Sequence, residues 1–181
     1  MATVTTMPVS RPLTIEDFEA IRDAADDRHR YELVDGSLVV TPAPSRVHQR
    51  VVSRLLRLLA ESNPAPSRHE VLVAPFDVRL GPSTVVQPDV LVVGDDDGAP
   101  LLAAEVLSPS TRHLDIGLKW SRYAAGGIAH YWLIDPDVPS VTVWTVVGEH
   151  YERAAHGEGA STVHLAVPWP VDVNADSLTR R

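Results

Sequence analysis

Between residues 70 and 107 the chain passes through three short stretches rich in Val and Leu, at 70–80, 84–93 and 101–107, separated by Gly, Pro and the acidic turn GDDDGAP. Stretches this short, apolar and punctuated read as consecutive strands of a buried β-sheet. Two carboxylates sit inside them: Asp89 in VVQPDVLVV and Glu105 in LLAAEVL. Charged side chains are rarely buried unless they are paired or bind metal, so each acid needs a partner. Mg²⁺ would remove the repulsion between two close acids. It takes oxygen ligands and is commonly completed by water and substrate phosphate, so the pattern suits phosphoryl chemistry. Spacing alone leaves a plainer alternative open, in which Asp89 faces solvent on an edge strand after Pro88 and Glu105 merely ends its strand.

The flanking sequence places helices around these strands. TIEDF carries a Thr cap three residues before Asp17 and opens a short helix to about Ala25. Asp35-Gly36 in YELVDGSLVV is the strongest hairpin signal of the chain and predicts a hairpin at 31–40. From Ser45 to about Ser62, Val47, Val51, Leu55 and Leu58 recur at helical spacing. Residues 113–125 read as a helix halted by Gly126-Gly127. IAHYWLID reads as a strand stopped by Pro136, and a last hairpin turns around Gly148. The order implies an α/β or α+β fold, a sheet with helices packed on it. Residues 1–12 are expected to form a disordered arm, 13–170 one domain, and 171–181 a polar tail.

Composition excludes several chemistries. A chain of 181 residues builds one core without staples, and with no Cys it has neither disulfides nor thiolate nucleophiles and metal sites. The His residues form no H-E-x-x-H or similar pair, Ser108 and Ser110 lack a G-x-S-x-G elbow, and no Gly-rich phosphate loop is present. No apolar run is long enough to span a bilayer and the start lacks a signal-peptide pattern, so no membrane association and a cytoplasmic location are expected. A formal net charge of −8 argues against a general nucleic-acid-coating role. One basic feature stands against that balance: Arg46, Arg50, Arg54 and Arg57 make a stripe along the second helix. It reads either as a track for a phosphate backbone or as a solvated face.

The segments QPDVLVV and LLAAEVLSPSTRHLDIGLKWSRYAAGGIAHYWLIDP, preceded by YELVDGSLVVTPAPSRVHQRVVSRLLRLL, resemble the Uma-two family of restriction endonucleases. That family is a bacterial branch of the PD-(D/E)xK nuclease superfamily. The resemblance covers about residues 14–155 and implies a restriction-endonuclease-like fold, a central mixed sheet flanked by helices. It implies that Pro88-Asp89 is the PD element and Glu105 the second acid. The E-x-K lysine position is occupied by Leu107, and the family pattern points to Lys119 on the following helix as its substitute. Glu32, His48 and Asp115 fall on further matched positions.

The implied activity is Mg²⁺-dependent cleavage of DNA, with Mn²⁺ as a substitute ion and a homodimer as a reasonable assembly. Asp89, Glu105 and Glu32 would hold metal, and Lys119 would orient the attacking water or stabilise charge growing on phosphate. As such a group, Lys119 should be removable at little cost in stability. On spacing alone Lys119 is also an ordinary exposed partner of Asp115 at i,i+4, and His48 is either a base or a packing histidine. Two other classes remain open: a nucleic-acid-binding or protein-interaction module of the same fold without turnover, and an enzyme of small phosphoesters, which would need the acids but no basic stripe.

Overall fold

The computed structural model describes residues 11–27, 29–95 and 98–180. The chain begins with α1 (Ile15–Ala24), closed by the expected capping box between Thr14 and Asp17. Of the expected N-terminal arm only Arg11 and Pro12 fall within the described residues. The hairpin of β1 (Arg30–Val34) and β2 (Ser37–Thr41) turns through Asp35 and Gly36 at φ of 51° and 73°. Such left-handed pairs are what Asp-Gly favours. A Cβ at position 36 would also lie 2.5 Å from that of Pro12, which restricts the site to Gly. Then follow α2 (Arg46–Ser62), β3 (His69–Val73), β4 (Val78–Gly81), β5 (Thr84–Val86), β6 (Val90–Gly94) and β7 (Leu102–Val106).

Next come a π-helix (Leu114–Lys119), α3 (Trp120–Ala125), β8 (His130–Asp135), β9 (Ser140–Val147) and β10 (His150–Glu158). β11 (Thr162–Leu165), β12 (Val171–Asn174) and α4 (Ala175–Thr179) complete the chain. Six strands form the main sheet in the order β10-β9-β8-β7-β6-β3. It is mixed because β7 and β8 run parallel, joined by the crossover that contains the π-helix and α3. A second sheet has the order β2-β1-β5-β4, and β11 pairs with β12.

Strand periodicity sorts the side chains into layers. On one face of the main sheet, Val90, Val92, Ala104, Trp132 and Ile134 pack on Val51, Leu55 and Leu59 of α2. On the other face, Leu91, Ala103, Tyr131 and Leu133 meet Tyr123 of α3 together with Val34 and Val86 of the second sheet. Phe18 of α1 covers the far side of the second sheet on Leu33, Leu38 and Val85. The period of two therefore puts Glu105 with Ala103, and Glu32 with Val34, in the same layer between the two sheets.

Four expectations are corrected. The stretches 70–80 and 84–93 are each two strands, one per sheet, because Pro75 and the Gln87-Pro88 step break pairing where the chain changes sheet. Val47 is 41% exposed, and His48 takes its place in the buried stripe beside Val51, Leu55 and Leu59. The helix over 113–125 starts as a π-helix rather than an α-helix. Finally, the expected polar tail is β12 and α4, which send Val171, Val173, Ala175 and Leu178 into the main core.

Candidate active site

Asp89 lies just past the break that carries the chain from β5 to β6, not within a strand. It is 3% exposed. Its Oδ1 accepts from Arg30 Nη1 at 2.7 Å, and its Oδ2 accepts from the Val106 N–H at 2.9 Å and lies 3.0 Å from His48 Nε2. Burial alone would raise the pKa of this carboxyl. The Arg30 charge and the hydrogen bonds from His48 and Val106 outweigh it and hold the acid below its ordinary range.

Glu105 is placed by β7, flanked on both sides by β6 and β8, and is 1% exposed. The reading in which Asp89 faces solvent and Glu105 ends its strand is therefore excluded. Glu105 Oε1 accepts from Tyr123 OH at 2.6 Å and from Lys119 Nζ at 3.0 Å. Burial pushes its pKa well up. The carboxylates of Asp115, Asp89 and Glu32 push the same way, against the opposing charge of Lys119.

Lys119 is also 1% exposed, so it is no surface residue. Its Nζ lies 2.9 Å from Glu32 Oε1, 3.0 Å from Glu105 Oε1 and 3.4 Å from Asp115 Oδ1. An ammonium has three protons, and three carboxylates surround it. Burial works against the charged form, yet these carboxylates prevail and raise the Lys119 pKa, so it is a fixed cation and not a base. Asp115 is held above its ordinary range, chiefly by burial.

The π-helix places Asp115 and Lys119 on one inward face, and π-turns of this kind recur at functional sites. Tyr131 OH donates to the Asp115 carbonyl at 2.9 Å and anchors this turn to β8. Glu32 Oε1 also takes the Gln87 N–H at 2.7 Å, while Glu32 Oε2 is buried without a partner. Leu107, where the resemblance would have placed a lysine, packs in the apolar layer instead.

Sequence reasoning missed two members. Arg30 stands two residues before Glu32, and that spacing on a strand marks a shared face. Tyr123 stands four residues after Lys119, the spacing of helical neighbours.

The arginine stripe is divided. Arg50 donates to Thr179 O at 3.2 Å, and Arg54 to Ser177 O at 2.8 Å, Leu178 O at 3.3 Å and Arg180 O at 2.6 Å. These two side chains cap the carbonyl end of α4, where cations are favoured, and neither lies on a free basic face. Arg57 lies 3.9 Å from the exposed Glu61, and Arg46 is exposed. A cleft of about 640 Å³ is lined by Asp89 together with Arg30, His48, Gln87, Ser108 and Thr111. Among the described residues no helix is long and apolar enough to cross a membrane.

Comparisons with known proteins bear on the fold and the family of the chain. No curated protein matches the chain. Among solved structures, a protein from Anabaena variabilis described as a "putative nuclease belonging to DUF820" superposes with a TM-score of 0.70. The match covers 93% of this chain and 92% of that one at 17% identity, which establishes a shared fold. The Uma2 family model, described as "Putative restriction endonuclease", matches residues 15–175, the span that holds both sheets and every carboxylate of the buried cluster, and the chain accordingly belongs to that family.

Proposed function

We propose that the protein is a Mg²⁺-dependent endonuclease that hydrolyses phosphodiester bonds in DNA. The observation that carries this reading is the buried set of Asp89, Glu32, Glu105 and Asp115 behind an open cleft, with Lys119 fixed as a cation among them. Four carboxyl groups share the cluster with two cations, Lys119 and Arg30, and burial together with mutual repulsion holds Glu105 and Asp115 toward their protonated forms, a penalty that a divalent ion would relieve. The donors are hard oxygens, and Glu32 Oε2 is a buried one without a partner, so the residues fit Mg²⁺ in charge and in kind. Among the described residues no three His, Cys, Asp or Glu side chains form a group that could hold a metal ion as they stand, and the point that Glu32, Glu105 and Asp115 share is taken by the Lys119 ammonium. Asp89, Glu105 and Glu32 would hold the ion.

When bound, the ion supplies Lewis-acid polarisation of the phosphate and a more acidic water. The chain's own groups do the rest. Lys119, pinned as a point charge beside Glu105, supports the negative charge that grows as water oxygen bonds to phosphorus and one ester P–O bond breaks. Tyr123 fixes the Glu105 carboxylate from α3, and Arg30 and His48 hold Asp89 through its Oδ1 and Oδ2 respectively. Incubation with supercoiled plasmid in Mg²⁺, Mn²⁺ or Ca²⁺ tests the reading. Nicking is expected in Mg²⁺ and Mn²⁺ and is lost in Asp89→Asn; an intact plasmid under every ion overturns it.

A further inference from the structure

We infer that the cleft beside Asp89 takes a single-stranded segment of DNA, with unpaired bases against its apolar lining and the backbone at Arg30. This rests on the nuclease reading for the chemistry, but the observations that carry it are separate. The cleft is amphipathic. Pro42, Ala43, Pro44, Val52 and Pro75 line it together with Arg30, His48 and Asp89.

An apolar lining beside a paired arginine and polar groups matches a nucleotide whose base is free of its complement. In a duplex the base faces are stacked on one another, and only the backbone and the base edges in the grooves are offered outward. The cleft also holds rings that are already fixed. Tyr31 lines it with its OH donating to Asp27 at 2.8 Å, and His29 Nδ1 lies 2.8 Å from the same carboxylate. Immobilised rings are platforms on which bases of any sequence stack.

Features suited to a duplex are missing where they were most expected. Duplex binding draws on many Lys and Arg contacts along the phosphates. Here Arg50 and Arg54 are spent on the carbonyls of α4, and the chain carries a net charge of −8. The reacting groups are also deep: Asp89 is 3% exposed, and Glu105 and Lys119 are 1% exposed. A flexible strand can enter a cleft to reach them, whereas a stiff duplex must first be deformed.

The test is fluorescence anisotropy of the full chain with one labelled DNA sequence, single-stranded or duplex, and with the matching RNA, in Ca²⁺. Cleavage rates of the same molecules are measured in Mn²⁺. Single-stranded DNA should bind at least tenfold more tightly than duplex. Tyr31→Leu, which keeps an apolar side chain but removes the ring, should weaken single-strand binding roughly tenfold through lost stacking. Ala43→Glu, on an exposed part of the lining, should weaken it as well, and neither change should alter duplex binding.

Duplex binding as tight as single-strand binding, tighter binding of RNA, or single-strand affinities unchanged in both variants would each overturn the inference. Faster cleavage of duplex would overturn it while leaving the nuclease reading intact. Absence of all cleavage would remove the nuclease reading, and the binding preference would still decide this one.

Discussion

Replacing Lys119 by Met tests the buried cluster most directly, because Met nearly preserves the volume and removes only the charge. Lys119 faces Glu32, Glu105 and Asp115 within 3.4 Å, and all four are buried. Removing one partner of a buried ion pair costs about 3–5 kcal/mol, because the charge left behind has lost both water and counter-ion. In a domain of this size each kcal/mol moves the melting temperature by about 2–4 °C, so a fall of roughly 6–20 °C is expected at pH 8.

The loss should shrink at pH 5. Glu105 and Asp115 already bind protons more readily than ordinary carboxylates and can neutralise themselves once the cation is gone. The wild-type lysine contributes in full at both pH values, since its raised pKa loses its proton only above the ordinary 10.5. A second change, Asp115→Asn on the Met background, should recover part of the loss. Thermal melts followed by circular dichroism, without metal, give the answer. A Met variant melting within about 2 °C of wild type at pH 8, or losing as much at pH 5 as at pH 8, would refute the reasoning. The earlier expectation that Lys119 could be removed at little cost in stability does not survive its burial.

Two further outcomes follow from the same geometry. Arg54→Gln should lower stability by about 1.5–3 kcal/mol, since a charged donor to three carbonyls at the end of α4 is lost; urea titrations of the two proteins should differ accordingly, and coincident midpoints would mean that α4 docks without this cap. Glu105 binds its proton more tightly folded than unfolded, so its contribution is complete below the ordinary value of 4.5 and fades as pH rises through the higher folded value. Glu105→Gln cannot titrate, and its metal-free melting temperature should fall less steeply than wild type between pH 5 and 9; parallel curves would count against a proton held at Glu105.

Much of the fold was legible because its signals are local. The Thr14–Asp17 capping box, the Asp35-Gly36 turn and the helix after Ser45 depend on neighbours in sequence, and each lies within a residue or two of its expected bounds. The sheet changes at Pro75 and Gln87 were not legible, since apolar runs on either side of a break look like one strand from composition alone. Val47 and His48 show the same limit. An apolar residue was assigned to the core by period, but a histidine one position on buries instead, because Asp89 from a distant loop gives it a partner. The acids at 89 and 105 stood out through their apolar surroundings. The depth of Lys119 did not, because a lysine four residues after an aspartate on a helix looks the same whether the face is wet or buried. The arginine stripe failed for a related reason: its acceptors lie in residues 177–180, which read as a tail.

The position of Lys119 between the sheets has a consequence for timing. Its ammonium joins Glu32 of β1 in one sheet to Glu105 of β7 in the other, and the Gln87 amide that steadies Glu32 comes from 55 residues away along the chain. No subset of the polypeptide short of both assembled sheets brings these groups together, and contacts of such long range are among the last a folding chain can close. A nascent or partly unfolded copy thus carries every side chain of the cluster and none of its arrangement. A hydrolase capable of damaging its own cell's nucleic acid would in this way stay harmless until its maturation is finished, with the lysine serving as the latch.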